Sequence, residues 1–402
     1  MVPHLYIHVP FCQRRCSYCD FSIAVRKHVP GSEYVHAVLR ELDLLRNSSG
    51  SANPGAQPRG PKATGTDTAQ PRGPEATVLE TLYLGGGTPS LLPVSDLARL
   101  LASLFDAFGS TPSLDDVEVT LEANPEDVTP ESVRIWRTAG INRVSLGAQS
   151  FDDQVLKWMH RSHDAARIGD AVRTLRAAGI ENISLDLIFA LPEELHRDWE
   201  RDLDRAISLL PSHISLYGLT VEPRTPLDRW ISRGATKLPA DERYADEYLH
   251  AHRRLGTEGY RFYEVSNASL DGFRSRHNSA YWSGRPYLGL GPAAHSFDGA
   301  TRRWNLSAWE AYRRAIAAGR SPVESEEVLT DAQREMEAVY LGLRTTEGLD
   351  WTDLCRRLPS VAAQWAERGW VEQTGPRLRC TPEGWLRLDE LVAKLFVAKE
   401  LA

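Results

Sequence analysis

The chain has 402 residues, enough to bury sizeable cores in two or three domains. Hydrophobic residues make up 42 % and charged residues 25 %, and the net charge of −7 gives no general attraction to nucleic acid or anionic membrane. No apolar run approaches a membrane span, and MVPHLYIHVPF lacks the basic and long apolar regions of a signal peptide, so a cytoplasmic location with reduced thiols is expected.

HLYIHVP (4–10) opens the chain as a strand and runs into FCQRRCSYCDF, with Cys12, Cys16 and Cys19 inside eight residues. A helix follows, with Val35, Val38, Leu39 and Leu42 on one face. From Asn47 to Thr77 large apolar residues almost vanish and AQPRGP occurs twice, which predicts a disordered low-complexity insert. Strand 78–84 leads through GGGTPS to a helix carrying Leu97, Leu100, Leu101, Leu104 and Phe108. Val117, Val119 and Leu121 alternate, and Thr129-Pro130 opens another helix with an N-cap and proline at N1. RTAGINRVSL (137–146) and RAAGIENISL (176–185) each read as a helix end, a left-handed glycine and a strand, and GTEGYRFYEV (256–265) is similar. With HISLYGL (213–219) as a further strand, about six β/α units fill the segment from Leu5 to Leu219. Such sheets bind ligands at the C-terminal ends of their strands.

GLGPAA (289–294) imitates a dinucleotide fingerprint, but Pro292, the lack of a βαβ context and the lack of an acidic partner argue against one. From about Thr330 the pattern becomes helices with a two-stranded wing around Gly375-Pro376, which predicts a small α+β winged-helix-like domain. It has no dense basic stripe, so a packing or interaction module is expected and no nucleic-acid partner. The expected domains are residues 1–235, 236–325 and 326–402.

Five cysteines are an odd number, and Cys355 and Cys380 lie far from the other three, which disfavours a disulfide framework. Positions 12, 16 and 19 would share one face of a core helix, but Pro10 and the polar Gln13-Arg14-Arg15 fit that poorly. A zinc knuckle needs a fourth ligand, for which His8 or His28 is available. A [4Fe–4S] cluster on three thiolates instead leaves one iron open to a cofactor. Such an iron can chelate the amino and carboxylate groups of S-adenosylmethionine and pass an electron to its sulfonium, releasing a 5′-deoxyadenosyl radical. C-x3-C-x2-C with Tyr18 before the last cysteine resembles the signature of the radical S-adenosylmethionine superfamily.

Other polar residues share the register of strand ends. GGGTP (85–89) lets backbone approach a ligand closely, and no Walker lysine accompanies it. Glu122 follows strand 117–121, Gln149 the next, and Arg161 lies in the helix region after that. Asp186 interrupts an apolar strand, a costly place for an unpaired carboxylate. Each residue taken singly also reads as a structural or surface polar group.

YIHVPFC, LGGGTPS, LEANPEDVTP, INRVSLGAQSFDD, ISLDLIFALP, YEVSNAS, HNSAYW and YLGLGPAAHS together resemble the oxygen-independent coproporphyrinogen III oxidase-like family. The resemblance implies a partial open (β/α)6 TIM-like barrel, an α/β fold. It implies that Cys12, Cys16 and Cys19 hold a [4Fe–4S] cluster, and that Tyr6, Gly86, Gly87, Thr88, Glu122, Gln149, Arg161 and Asp186 contact S-adenosylmethionine. Members that decarboxylate coproporphyrinogen III carry one more thiol, at the position of Phe21 here, and a longer region ahead of the cluster. Both departures resemble the haem-chaperone branch, whose members are implied to bind haem and pass it to haem-requiring respiratory enzymes at the membrane. Porphyrin oxidation is the alternative. HNSAYW (277–282) is a feature of that branch, and His277, beside Tyr281 and Trp282, is the expected haem ligand; a core or cap histidine is the other reading. The oligomeric state is left open, a homodimer included.

Overall fold

The computed structural model describes residues 2–50, 79–109, 116–352 and 359–400. The low-complexity stretch therefore lies outside the described residues from position 51 on, as does Cys355. Strands β1 (His4–Val9), β2 (Phe11–Cys12), β3 (Ala24–Val25), β4 (Thr81–Gly86), β5 (Glu118–Ala123), β6 (Arg143–Gln149), β7 (Asn182–Phe189) and β8 (His213–Gly218) come first along the chain. Between them run helices α1 (Gly31–Gly50), α2 (Val94–Ala107), α3 (Pro130–Thr138), α4 (Asp153–Trp158), α5 (Ala165–Ala177) and α6 (Trp199–Ser208). Helices α7 (Pro226–Ser232) and α8 (Asp241–Thr257) follow β8, and then the short strands β9 (Arg261–Phe262), β10 (Asn267–Ser269) and β11 (Leu288–Leu290).

One nine-stranded sheet takes the order β11-β1-β4-β5-β6-β7-β8-β10-β9. Six neighbouring strands, β1 through β8 without the β2–β3 pair, run parallel in sequence order with helical crossovers, so the expected six β/α units form an open barrel. The third junction, GTEGYRFYEV, does give a helix end, a left-handed Gly259 and a strand, but β9 is an antiparallel edge paired to β10. A short connection through residues 263–266 turns it back at once, where a parallel strand would need a crossover helix.

Helix boundaries follow local chemistry. Thr129 caps α3, with reciprocal bonds to Ser132 and Pro130 at the first turn. Gly140 and Gly179, at φ +103° and +80°, end α3 and α5 in the left-handed region that a side chain would resist.

The two faces of the barrel strands differ in chemistry. Leu5, Ile7, Val9, Leu82, Leu84, Val119, Leu121, Val144 and Leu146 are buried against the helices as one core. The alternate residues turn into the lumen and are polar: His4, Tyr6, His8, Thr81, Tyr83, Glu118, Thr120, Glu122, Arg143, Ser145. Helix α9 (Arg276–Trp282) closes the N-terminal end of this lumen. Both Glu118 carboxylate oxygens accept main-chain bonds at 2.9 Å, from the N–H groups of Arg276 and His277.

Beyond the barrel, β12 (His295–Phe297), β13 (Thr301–Asn305) and β14 (Val323–Val328) form an antiparallel sheet, with α10 (Trp309–Ala317) in the β13–β14 connection. Helix α11 (Asp331–Arg344) leads into the last domain, where Leu349–Asp350, Arg377–Cys380 and Val371–Thr374 form a small antiparallel sheet. Gly375, at φ +57°, turns the wing. Trp385 donates its indole N–H to Leu343 O at 3.0 Å and ties this domain together.

GLGPAA is a packing element. Gly291, at φ +101°, lies so close to β1 that an added Cβ would stand 2.6 Å from His8 O. Its N–H donates to Glu41 Oε2 at 2.8 Å, and Asn305 Nδ2 and the Tyr312 hydroxyl donate to the same carboxylate at 2.5 and 2.6 Å. Burial pushes Glu41 up to about 7, partly offset by these donors. Glu41→Ala would strand three buried donors, so a loss of about 3 kcal/mol or more in unfolding free energy is expected. Urea denaturation measures it, and a change below about 1 kcal/mol would remove this carboxylate from the tie between α1 and the 288–312 segment.

Candidate cofactor site at the barrel mouth

The cysteine loop leaves β1 at Pro10 and returns through β3, which pairs in parallel with β2. It is anchored on both sides: Ser17 N–H donates to Met159 O at 3.2 Å, and Leu227 N–H donates to Ser17 O at 2.8 Å. From below, the glycine loop after β4 presses against it. Gly87 N–H donates to Val9 O and Thr88 N–H to Phe11 O, both at 2.8 Å. A Cβ on Gly87 would meet Phe11 O at 2.8 Å, and one on Gly86 would meet the His8 ring at 2.6 Å. Glycine is therefore required here by close approach of two main chains.

Above this junction lies a cavity of about 510 Å³. Its wall carries Cys12, Cys16, Cys19, Gly86, Gly87, Thr88, Glu122, Gln149, Arg161 and Asp186, which reach it from five strand ends and the loops after them. The Thr88 hydroxyl donates to Cys12 Sγ at 3.4 Å, and Arg161 Nη1 donates to Cys16 Sγ at 3.6 Å. Arg161 Nη2 is held by Asn124 Oδ1 at 2.6 Å and Gly147 O at 3.0 Å, while its buried Nε has no hydrogen-bond partner. Gln149 sits at φ +67°, a conformation its side chain makes costly.

Two carboxyl groups stand in the depth of the cavity. Glu122 accepts from the Tyr83 hydroxyl at 2.9 Å and from Gly86 N–H at 3.1 Å, and burial lifts it to about 7. Asp186 accepts from Ser145 at 3.0 Å and Ser184 at 3.2 Å, and burial raises it too. Burial likewise pushes the Cys12 thiol up and Cys19 to about 11. Burial thus favours the protonated form of each of these groups, and a cationic or electrophilic partner would favour the charged one.

The residues fit an iron–sulfur cluster and a cationic cofactor. Three thiols face one cavity, whose wall also carries two buried acids and a guanidinium whose Nε has no partner. Among the described residues, no three His, Cys, Asp or Glu side chains gather closely enough to hold one metal ion. His8 is occupied by Tyr6 at 3.1 Å and Ser22 O at 3.3 Å.

Two expected residues lie elsewhere. Tyr6 is inside the barrel one layer below, its hydroxyl on His8 Nδ1, and it is not on the cavity wall. His277 is 1 % exposed at the opposite end of the lumen. Its Nδ1 meets the Thr81 hydroxyl at 2.7 Å, its Nε2 meets the Tyr281 hydroxyl at 2.9 Å, and its ring stacks on Tyr83 at 5.0 Å. Burial lowers it to about 3, so it is neutral. Both ring nitrogens are engaged, and iron ligation through His277 would require breaking one of these bonds and opening the barrel floor. The cavity also carries residues that the motifs did not single out: Asn124, Ser145 and Tyr217, the last 47 % exposed as a residue. Inward register at a strand end was the available signal for Ser145 and Tyr217.

The family model of the radical SAM superfamily matches residues 72–206, and that of the HemN C-terminal domain matches 329–387. A relative from Synechocystis named heme chaperone HemW is 34 % identical, over 98 % of this chain and 96 % of its own length. Proteins of the same name from Bacillus subtilis and Mycobacterium tuberculosis are 33 % and 35 % identical, over 96 % and 97 % of this chain and 97 % and 94 % of their own lengths. Among solved structures, coproporphyrinogen III oxidase (HemN) from Escherichia coli superposes with a TM-score of 0.76 at 20 % identity, covering 98 % of this chain and 90 % of that one, which establishes the shared fold. The chain belongs to the heme chaperone HemW family of the radical SAM superfamily.

Proposed function

We propose that the chain is a haem chaperone that keeps a [4Fe–4S] cluster and S-adenosylmethionine at its barrel mouth, binds haem, and hands it to haem-requiring respiratory proteins. The observation that carries this reading is the near full-length similarity to relatives named heme chaperone HemW, at 33–35 % identity. Phe21, 59 % exposed on the cavity wall, agrees with it, since it offers no thiol where the porphyrin-oxidising members have one.

Cys12, Cys16 and Cys19 would hold the cluster, whose open iron supplies an electron to a bound sulfonium. Thr88 donates to Cys12 and Arg161 to Cys16, and the Thr88 bond partly offsets the burial that raises the Cys12 thiol. Glu122 and Asp186 offer carboxylates to a cationic cofactor, each held in place by hydroxyl or main-chain donors. The glycine backbone at 86–87 brings this loop against residues 8–11, where any side chain would collide, and so sets its position on the cavity wall. Among the described residues no helix is long and apolar enough to cross a membrane, so delivery to a membrane enzyme would proceed by docking.

The decisive experiment incubates the reduced, cluster-reconstituted protein anaerobically with haem and, in parallel, with coproporphyrinogen III. A Soret band with haem and no protoporphyrinogen is expected; protoporphyrinogen formation would establish the oxidase in its place. Reconstituted protein should contain iron and acid-labile sulfide at about 1:1, and Cys16→Ser should lose both. Retention of the metal without sulfide in that variant would point back to zinc.

The pH dependence of cofactor binding follows from Glu122. Its carboxyl is raised to about 7, so the charged form that attracts a sulfonium is gained as pH rises through 7. S-adenosylmethionine affinity, measured by calorimetry, should rise about five- to eightfold between about pH 6 and 7.5. Glu122→Gln should flatten that rise, and an unchanged profile in the variant would assign the titration to another group.

A further inference from the structure

Two further cavities lie at the other end of the barrel, of about 540 and 670 Å³. They share Trp282, Gly284, Phe297, Glu337 and Leu341 on their walls, so they are two lobes of one cleft. Each lobe falls within the roughly 300–1,000 Å³ of small-molecule and cofactor sites. One wall is α9 and the turn after it, the other is α11, and main-chain bonds in both directions at 2.9 Å fix Tyr287 against Phe297 between them.

The cleft has the chemistry of a flat, apolar ligand, with guanidiniums in its wall. Tyr281, Trp282, Tyr287, Phe297 and Tyr340 offer aromatic surface, with Tyr281 and Tyr287 edge to face at 4.5 Å. Met336, 46 % exposed in the middle of α11, turns a soft thioether into the same lobe. Among the described lining residues, five guanidiniums (Arg274, Arg285, Arg302, Arg334, Arg377) face three carboxylates (Glu337, Glu347, Asp350). Arg285 is paired with Glu80 at 2.6 Å and Arg334 with Asp331, both acids outside the lining, so the charges balance and acidic arms would meet guanidiniums that already hold a carboxylate.

The barrel-mouth cavity is richer in acids. Five carboxyl groups (Asp20, Glu122, Glu126, Asp186, Glu222) stand there against Arg14 and Arg161. A cationic sulfonium cofactor suits that cavity, and a dianionic macrocycle is repelled by it.

We propose that haem, a planar tetrapyrrole with two propionates, sits in the cleft between α9 and α11, away from the cofactor cavity and with Met336 against its face. This rests on the haem-chaperone reading above and adds the place. His277 then acts from behind the wall, its Nε2 fixing the Tyr281 hydroxyl at 2.9 Å, and is a positioning residue. The C-terminal domain, through α11 and the segment after it, supplies half of the seat.

The test titrates the full-length, cluster-reconstituted protein with haem and follows the Soret band in wild type, Met336→Glu and Arg285→Gln. Both positions are exposed, so circular dichroism and iron content should be unchanged. Met336→Glu, which places a negative charge against the macrocycle, should raise the haem Kd about tenfold or more. Arg285→Gln should raise it about threefold, with a weaker dependence on salt. If Met336→Glu fails to fold, Arg285→Gln alone decides. Wild-type affinity in the variants that fold would overturn the cleft while leaving the chaperone reading intact. A wild-type protein that binds no haem at all would overturn both.

Discussion

The geometry of the cofactor site depends on one close approach, where Gly86 passes against the His8 ring and Gly87 against the main chain of residues 9–11, with no space for a side chain at either. That contact is where two adjacent strands end together, Val9 opposite Gly86, and it converts sheet register into loop position. Once Gly87 and Thr88 have donated to Val9 and Phe11, the start of the cysteine loop has no freedom relative to the barrel. Cys12 then falls within reach of the Thr88 hydroxyl, and Glu122 gains its Gly86 donor. A thiol loop supported only by its own short hydrogen bonds would lack this fixed bearing.

The barrel inverts the usual arrangement of a core. Its apolar side chains point outward to the helices, and its centre is filled with hydroxyls, imidazoles and charged groups. Such an interior is stable only when polar groups satisfy each other, and most do: His4 and His277 share Thr81, Ser184 meets His213 at 2.8 Å, and Ser145 and Ser184 hold Asp186. Arg143 is the charged exception: it is buried at 1 % exposure and, like His4 Nε2 and Thr120 Oγ1, its Nε and Nη1 lack a partner. Its charge holds down the neighbouring acids Glu122 and Asp186, but burial outweighs it in both. The centre of the molecule thus carries a standing electrostatic tension that is relieved toward the mouth.

Much of this architecture is legible in the sequence because period-two alternation marks each barrel strand and a glycine or proline marks each boundary. Cys12, Cys16, Cys19, the 85–88 loop, Glu122, Gln149, Arg161 and Asp186 do meet in one cavity, since strand ends of a parallel sheet lie on one rim. Alternation tells which face a residue takes but not its depth, and so Tyr6, on the correct face, ends one layer too low. Tyr217 escaped notice for a related reason: HISLYGL reads as a strand, and nothing local distinguishes its last inward ring from its first inward imidazole. His277 sits on a seven-residue helix whose location under the barrel is set by Glu118, 159 positions earlier. The cleft beside α11 draws its walls from Tyr281, Phe297, Met336 and Val392, a juxtaposition with no sequence period.

Thr81, His277 and Tyr281 form a hydrogen-bonded stopper across the lumen, and Glu118 fastens the helix that carries it. The barrel-mouth cavity thus has a packed, polar floor, and Phe21 and Tyr217 stand exposed on its wall. Where two ligands share such a cavity, one against Glu122 and Asp186 would lie beneath one at the mouth, entering first and leaving last. A ligand at the mouth locks in whatever is beneath it, so exchange of the inner occupant is timed by the outer one without any moving lid.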